Sequence, residues 1–403
     1  MTPPSLSLDR AFIHSRRLTK AAILIALGTA VSSGALHAAV LPDGVIQYVG
    51  SYEIADPALA GAANAGGGAI VPAGNAVNNL GTFDIVINPG PTLAGNAAAL
   101  AAFNRAALKW EALFSDPITI TIDADLANLG NPNIIGSTSS VTLMASYTTI
   151  RNALVADSAL DADDSINASL PTSGQFAAQV PAGFSLTGNV VGTKANLKAM
   201  GFGGLDGTFG ATDATITFNS IFNFSYTGLP VGGLVDFETV AVHEIGHALG
   251  FISVVDVVDN VAPQAVSPEV LDLFRFRDGT ANDPATAADF TTFARDLSPN
   301  TNAITDYVLA TLGGEPLENR MSTGVTTGDG RQASHWKDDA LTGTLIGVMD
   351  PSLAAGVVEL ISASDARAFD LIGYDRVAVP EPGSIALILG GLLILGFRRG
   401  RRS

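Results

Sequence analysis

Cysteine is absent from the 403 residues, and histidine, tryptophan and basic residues are scarce. Without cysteine the chain cannot form a disulfide framework, a thiolate zinc site, an iron–sulfur cluster or a cysteine nucleophile. The formal charge of −17 argues against a nucleic-acid partner, which requires a basic surface. Hydrophobic residues make up 47% and charged residues 15%, which excludes a disordered chain.

The scarce residues are unevenly distributed. His14 and His37 lie near the N-terminus, and only His243, His247 and His335 remain in the rest of the chain. Eight of the 21 basic residues lie in the two ends, so residues 40–380 hold 13 basic and 36 acidic residues, a formal charge of −23. We expect a solvated acidic surface on the central part.

Residues 1–39 have the pattern of a secretory signal peptide. Arg16, Arg17 and Lys20 precede an apolar run at 21–30, and small residues suited to cleavage stand just before position 40. We expect removal by a signal peptidase; an uncleaved membrane anchor is the alternative, although the run is short for a full span. Either interpretation predicts export.

Residues 377–403 resemble the PEP-CTERM sorting tail of Gram-negative bacteria. Pro380-Glu381-Pro382 is followed by an apolar run at 385–397 and then by four arginines. The resemblance implies a transient membrane anchor, processing by an exosortase-type enzyme, and a final location at the cell surface or outside the cell. A plain C-terminal membrane anchor is the alternative.

Between the ends, residues 40–81 form an N-terminal segment with a candidate strand at 45–54 and a Gly/Ala/Asn-rich linker. Residues 82–376 form the main domain. Periodicity predicts strands at 83–87, 118–122, 141–147 and 214–218, helices at 97–114, 148–155, 237–249, 303–312 and 363–372, and a loop-rich stretch at 278–334. This mixture, with its long irregular second half, predicts an α+β fold.

The strongest chemical signal is His243-Glu244-Ile245-Gly246-His247. On a helix the two histidines are one turn apart on one face, where two imidazoles can bind one zinc ion. Glu244 is about 100° round the helix, within reach of a metal-activated water. A chance match is the alternative, but two buried histidines without a metal or partner would be costly.

A catalytic zinc ion needs a third protein ligand. The long metzincin pattern requires a histidine where this chain has Ser253. Asp256, Glu269 and His335 are therefore the candidates, and we favour His335 because catalytic zinc commonly takes three histidines. Gly328-Asp329-Gly330 predicts a turn that directs His335 towards a cleft.

At this point the chain resembles the leishmanolysin-type metzincins, zinc proteases whose third histidine follows an insertion. The resemblance covers roughly residues 82–376 and implies a twisted mixed sheet, an active-site helix and an irregular C-terminal subdomain. The implied roles are zinc ligands for His243, His247 and His335, general base for Glu244, chain-reversing glycine for Gly250, and the methionine beneath the metal for Met349.

The resemblance implies an exported zinc endopeptidase that acts on a protein or peptide substrate. By the same analogy the substrate pairs with an edge strand at 214–218. Some metzincins carry a tyrosine two residues after the methionine, where this chain has Pro351. The alternative function is a non-catalytic surface or matrix binding protein on the same scaffold.

Other signals are weaker. Asp161-Ala162-Asp163-Asp164-Ser165 begins like a calcium loop, but Ile166 and Thr172 stand where an EF-hand needs glycine and glutamate, so an EF-hand is rejected. Irregular Ca²⁺ sites in the acidic loops stay open. Trp110, Trp336 and Tyr374 are expected in the core.

Overall fold

A twisted mixed sheet of seven strands forms the framework of the domain. The strands are β1 (Ala38–Leu41), β2 (Gly44–Pro57), β3 (Asp84–Pro89), β4 (Thr119–Ala127), β5 (Ile134–Ser146), β6 (Asn189–Thr193) and β7 (Ala214–Asn219). Their order is β1-β2-β5-β7-β4-β3, and β6 pairs with the second half of β5. Strands β3, β4 and β7 are mutually parallel, whereas β5 is antiparallel to β2, β6 and β7. The α+β prediction is confirmed at this level.

The computed structural model describes residues 83–159, 164–277, 281–300 and 320–377, together with the backbone of β1, β2 and the short strand Asp306–Val308. Residues 1–37 of the predicted signal peptide, the linker at 58–81, most of the calcium-like segment at 161–165 and the tail from residue 378 lie outside the described residues. Within the described ranges, no helix is long and apolar enough to cross a membrane.

Strand β7 lies inside the sheet, so the prediction that it forms an edge is wrong. Ile122 to Ala127 of β4 pair with it on one side, and Gly136 to Ser140 of β5 pair with it on the other. Alternation of polar and apolar residues indicates that a strand is half-buried, but it does not reveal the neighbours of the strand. The alternation at 214–218 therefore does not identify an edge of the sheet.

Helices of the described residues that accompany the sheet are α1 (Ala97–Glu111), α2 (Tyr147–Asp157), α3 (Lys194–Ala199), α4 (Phe237–Leu249), α5 (Val255–Asn260) and α6 (Ala363–Leu371). Further short helices occur at Pro91–Ala94, Leu205–Phe209, Ala287–Thr292 and Asp339–Thr342, with 3-10 turns at Ser165–Ser169 and Leu271–Phe274. The predicted helices at 97–114, 148–155, 237–249 and 363–372 are confirmed, with ends shifted by a few residues.

The apolar core joins α1, α4 and the sheet. Phe103 of α1 packs edge-on against Phe218 of β7, with ring centroids 5.2 Å apart, and Phe218 packs against Phe237 of α4 at 4.4 Å. Each large side chain buried in this way contributes about 1.5–3 kcal/mol. Trp110 is buried as predicted, and its indole donates a hydrogen bond to the Val242 carbonyl at 3.0 Å. Helix α4 is thus fixed from its apolar side.

After α4 the described chain forms mainly loops and two-stranded pairs. Arg275–Arg277 pairs antiparallel with Asp306–Val308, so the helix predicted at 303–312 is wrong at 306–308, and its other residues lie outside the described ones. The remaining pairs join Ala178–Gln179 to Arg295–Asp296, Ser185–Leu186 to Ala265–Val266, and Phe224–Ser225 to Val235–Asp236. Such short pairs need tertiary contacts to hold them.

Candidate metal centre

Helix α4 forms where the sequence predicts it because its N-terminus is capped and its apolar residues face the core. The Asp236 carboxylate accepts hydrogen bonds from the Thr239 amide and hydroxyl, both at 2.9 Å, which satisfies an amide that the first turn would otherwise leave unpaired. Every residue of the helix is buried. His243 and His247 therefore project from one face of a rigid element.

Gly250 ends the helix with φ +125°, a backbone conformation that favours glycine. Its amide bonds back to the carbonyls of Gly246 and His247, and the chain then reverses. The reversal brings the carbonyl of Phe251 to within 2.8 Å of His247 Nδ1. Gly250 therefore supplies a turn that orients one of the two helical histidines.

His335 reaches the same place from a loop that crosses two neighbouring segments. The His335 carbonyl accepts a hydrogen bond from the Ser322 amide at 3.0 Å, and the next amide, of Trp336, donates to the Met349 carbonyl at 2.9 Å. The side chains of His335 and Trp336 are fully buried. The turn expected before His335 is present, with Gly330 at φ +90°.

The Nε2 atoms of the three histidines converge. His243 and His247 are 3.0 Å apart at these nitrogens, His247 and His335 are 3.2 Å apart, and His243 and His335 are 3.3 Å apart. Tetrahedral zinc with bonds of about 2.0–2.1 Å places its nitrogen ligands about 3.3 Å apart. The spacing of the three nitrogens fits that geometry.

The outward nitrogen of each ring lies against a main-chain carbonyl. His243 Nδ1 is 2.6 Å from the Val348 oxygen, His247 Nδ1 is 2.8 Å from Phe251, and His335 Nδ1 is 3.2 Å from Gln332. These contacts favour the tautomer protonated at Nδ1, which leaves the Nε2 lone pair directed inward. Three lone pairs that share one space form an arrangement that a cation stabilises.

Asp256, one of the alternative ligands, binds the backbone in front of His335 instead. Its carboxylate accepts hydrogen bonds from the amides of Ala333 and Ser334, at 2.6 and 3.0 Å, and from the Ser334 hydroxyl at 2.5 Å. Burial raises the pKa of this carboxyl group, and the hydrogen bonds from Ser334 and Ala333 oppose that rise. Asp256 thus fixes the loop that carries His335.

Ser253 stands where the long metzincin pattern has its histidine, and it joins the same loop. Its amide donates to the Ser334 hydroxyl at 2.9 Å, and its own hydroxyl donates to Asp272 at 2.6 Å. The other alternative ligand, Glu269, is buried beside Asp272. Burial, followed by the negative charge of Asp272, raises the pKa of Glu269 well above 4.5. Among the described residues, the group of side chains that converges at the metal centre contains the three histidines and neither acid.

Glu244 is buried against β5. The Thr138 hydroxyl lies 2.5 Å from Glu244 Oε2 and 3.0 Å from the Glu244 carbonyl. A β-carbon at Gly136 would collide with the Oε1 side of the same carboxylate. Strand β5 therefore fixes the carboxylate in two ways: the Thr138 hydroxyl binds it, and Gly136 leaves room for it. The sequence pattern predicts neither contact.

Met349 packs against helix α4 at Gly246, which lies between the two helical histidines in the sequence. A β-carbon at Gly246 would collide with the sulfur of Met349, so the helix and the methionine approach as closely as a glycine permits. Asp365, at the start of α6, organises the loop of this methionine. Its carboxylate accepts hydrogen bonds from the Val348 amide at 2.8 Å and from the Trp336 indole at 2.7 Å. Asp365 thereby links the loop that anchors His243 to the segment that carries His335.

A cleft opens beside the centre, and His243 and Glu244 line it together with Ile135, Pro351 and Leu353. Pro351 gives this wall no hydroxyl group where some metzincins have a tyrosine. Tyr374 does not replace that hydroxyl, because it is buried and donates a hydrogen bond to the Leu249 carbonyl at 2.7 Å. Tyr374 and Trp336 are core residues, as predicted.

A second group of acids could hold a cation: Asp338, Asp339 and Asp350 each place an oxygen within 4.8 Å of the others. Asp338 forms an ion pair with Arg331, and Asp350 accepts the amides of Asp339 and Ser352. Burial, together with the charges of the two neighbouring acids, raises the pKa of Asp350 to about 8. Calcium binding stays a prediction.

Searches of protein-family models, of curated proteins and of solved structures found no match to this chain. The resemblance to metzincins consequently rests on the sequence motifs alone. The sequence indicates the three histidines and Glu244. The sequence does not indicate the contacts of Thr138, Gly136 and Asp365 at the site. The pattern Ser362-x-x-Asp365 predicts a helix start, but not the hydrogen bonds of the Asp365 carboxylate to the loop.

Proposed function

We propose that this protein is an exported zinc-dependent endopeptidase of the metzincin type, with His243, His247 and His335 as metal ligands and Glu244 as general base. The observation that supports it most is the convergence of three Nε2 atoms, each on a ring whose Nδ1 meets a main-chain carbonyl, beside a cleft that Glu244 also lines. Nitrogen ligands at this spacing are those that catalytic zinc takes.

When bound, zinc supplies a Lewis acid that polarises the scissile carbonyl and activates water. The three histidines would hold the metal, beside the cleft that His243 and Glu244 line. Glu244 accepts the proton of the attacking water at its carboxylate and passes it to the leaving amine nitrogen. Thr138 and Gly136 keep that carboxylate in one orientation, which matters because a misplacement of about 1 Å can reduce a rate about a hundredfold.

The proposal includes the route out of the cell. Signal peptidase would remove residues 1–39, and an exosortase-type enzyme would process the tail after residue 377, which leaves the domain at the surface or outside the cell. Protein or peptide segments in the surroundings would be the substrates. Mass spectrometry of the secreted protein would define both termini, and retention of the N-terminal 39 residues would contradict this route.

The catalytic proposal is tested with the purified full chain, zinc and a denatured protein substrate. Cleavage should stop with a chelator and return with zinc. Glu244→Gln should retain one zinc ion per chain while the rate falls by about 10²–10⁴-fold, the usual contribution of a general base. Cleavage that survives Glu244→Gln would contradict the assignment. Zinc binding without any cleavage, both in the intact chain and in a chain cut between β2 and β3, would favour the non-catalytic binding protein.

Glu238→Gln provides a matched control on the same helix. Glu238 forms ion pairs with Arg105 at 2.7 Å and Lys109 at 2.8 Å, and it does not line the cleft. Its substitution should lower the free energy of unfolding slightly and leave zinc content and cleavage rate unchanged. A loss of cleavage equal to that in Glu244→Gln would show that any change in helix α4 inactivates the site.

A further inference from the structure

Strand β5 forms one wall of the metal centre. Its Thr138 and Gly136 contact Glu244, and the Ser140 hydroxyl lies 3.4 Å from the carbonyl of His247. Ile135, from the same strand, lines the cleft with His243. An extended peptide that reached Glu244 would therefore run alongside β5.

On one side, β5 pairs with strands β6 and β7. Gly136 to Ser140 pair with β7, and Thr142 to Ser146 pair with β6. The opposite side would be a free edge in the described part of the domain if β2 were absent, because the sheet order places only β2 and β1 beyond it. Such an edge offers unpaired backbone groups to any extended segment.

Strand β2 covers that edge along nearly its full length. The antiparallel register runs from Gln47 opposite Met144 to Pro57 opposite Ile134. Ile54 lies opposite Thr138 and Asp56 opposite Gly136, the two positions that hold the Glu244 carboxylate. The backbone groups that would bind a substrate strand at the catalytic position are thus paired within the chain.

We propose that β2 is an internal occupant of the peptide-binding edge of β5, and that the enzyme is latent until β2 is displaced. The inference rests on the proposed function. Main-chain pairing gives strand addition its affinity, so β2 and an extended substrate compete for the same donors and acceptors. Because β2 is outside β5 in the sheet order, its departure leaves the ladders from β5 to β3 in place.

The first test inserts a recognition sequence for a site-specific protease into the full chain at Gly66-Gly67-Gly68, between β2 and β3. Turnover of a denatured protein is compared before and after the cut. If β2 is undocked in about a tenth of the intact molecules or fewer, the cut should raise the apparent kcat/KM about tenfold or more at unchanged zinc content. Equal turnover before and after the cut, with β2 shown to have dissociated, would overturn the proposal.

The second test weakens the ladder without a cut. Consecutive strand residues direct their amides to opposite sides, so Ser51→Pro with Tyr52→Pro removes at least one hydrogen bond to β5. This double variant should show raised turnover and faster amide exchange in β5. Ser51→Ala with Tyr52→Phe keeps both amides and should match the wild type; faster exchange without raised turnover would overturn the proposal.

A binding readout separates this inference from the proposed function. A labelled synthetic peptide with the sequence of residues 44–57 should bind the cut, β2-free chain and not the intact chain. If zinc-loaded protein cleaves nothing in either form but binds the peptide only after the cut, the proposed function fails and the occupied edge stands. If the cut chain cleaves protein but does not bind or respond to the peptide, the occupied edge fails and the protease stands.

Discussion

The two parts of the chain that supply the three converging histidines differ in what holds them. Helix α4 brings His243 and His247 on a fully buried element that packs against aromatic rings of α1 and β7. His335 comes from a loop that buried carboxylates fix, with Asp256 on one side and Asp365 on the other. Apolar packing thus supports two of the histidines, and polar networks support the third.

This difference indicates how the two supports should fail. An apolar contact contributes to the free energy of unfolding wherever it lies in the core, so its loss should weaken the whole domain. A buried carboxylate that accepts several amides fixes one local backbone path. Loss of Asp256 or Asp365 should therefore affect zinc affinity more than loss of a core side chain does.

The largest expected effect is in the apolar support. Phe103→Ala removes a fully buried ring that contacts Phe218 and should lower the free energy of unfolding by about 3–5 kcal/mol, with zinc affinity unchanged in the folded protein. Denaturant unfolding and zinc titration measure the two quantities. Phe103→Leu should show a smaller loss of the same kind. Weakened zinc binding in the folded variant would contradict the separation of the two supports.

The next effect combines stability and metal binding. Asp365→Ala leaves the Trp336 indole and the Val348 amide without their acceptor and should lower the free energy of unfolding by about 3 kcal/mol. Because Val348 also anchors His243, zinc should bind more weakly as well. Competition with a chromogenic chelator measures that change, and unaltered zinc affinity would show that the loop keeps its path without this carboxylate.

A smaller and more selective effect is expected at α5. Asp256→Asn should reduce zinc affinity about 10–100-fold, the usual cost of a changed outer-shell partner, with a modest change in stability. Asp259→Asn is the control. Asp259 lies one turn further along α5 and accepts hydrogen bonds from the amides of Thr326 and Thr327, not from Ala333 or Ser334. Equal zinc loss in both variants would contradict the positioning role of Asp256.

The smallest effect on zinc binding is expected for two acids remote from the three histidines. Burial, followed by the charge of Asp375, raises the pKa of Asp157 to about 8, and burial also raises that of Asp116 to about 7. Since both values exceed the ordinary 3.8, the folded state retains protons that the unfolded chain releases. The contribution of these two carboxyl groups to the free energy of unfolding should be greatest below pH 4 and fall as pH rises through 7 to 8. Asp157→Asn should make that fall shallower, and an unchanged slope would contradict the shift.

The sequence predicts what local chemistry determines. Asp236 and Gly250 mark both ends of α4, and the spacing within it indicates the two histidines and the base. The order of strands in a sheet depends on contacts between residues far apart in the sequence. The alternating pattern of β7 indicates burial only, so the prediction of an edge strand there is wrong. The helix predicted over 303–312 fails at 306–308 for a similar reason, because the pairing with Arg275–Arg277 is not local.

The role of Asp256 shows the same limit within the site. Its distance from the helical histidines along the chain suits a ligand, and nothing local indicates that residues 333 and 334 will return to it. Glu269 is likewise placed by the bridge between its own backbone and Val191, far along the chain. Contacts between residues far apart in the sequence therefore decide that His335 reaches the other two histidines and that Asp256 and Glu269 do not.

The acceptors that meet the outward nitrogens of the histidines are all peptide carbonyls, from Val348, Phe251 and Gln332. A carbonyl persists through any change of side chain, so these three positions can vary in evolution without loss of a ligand's orientation. They also add no negative charge to the ligand set, so a divalent ion held here would retain its full charge. A substitution that altered the path of the backbone at these positions would, by contrast, reorient a histidine ring even though the histidine itself is unchanged.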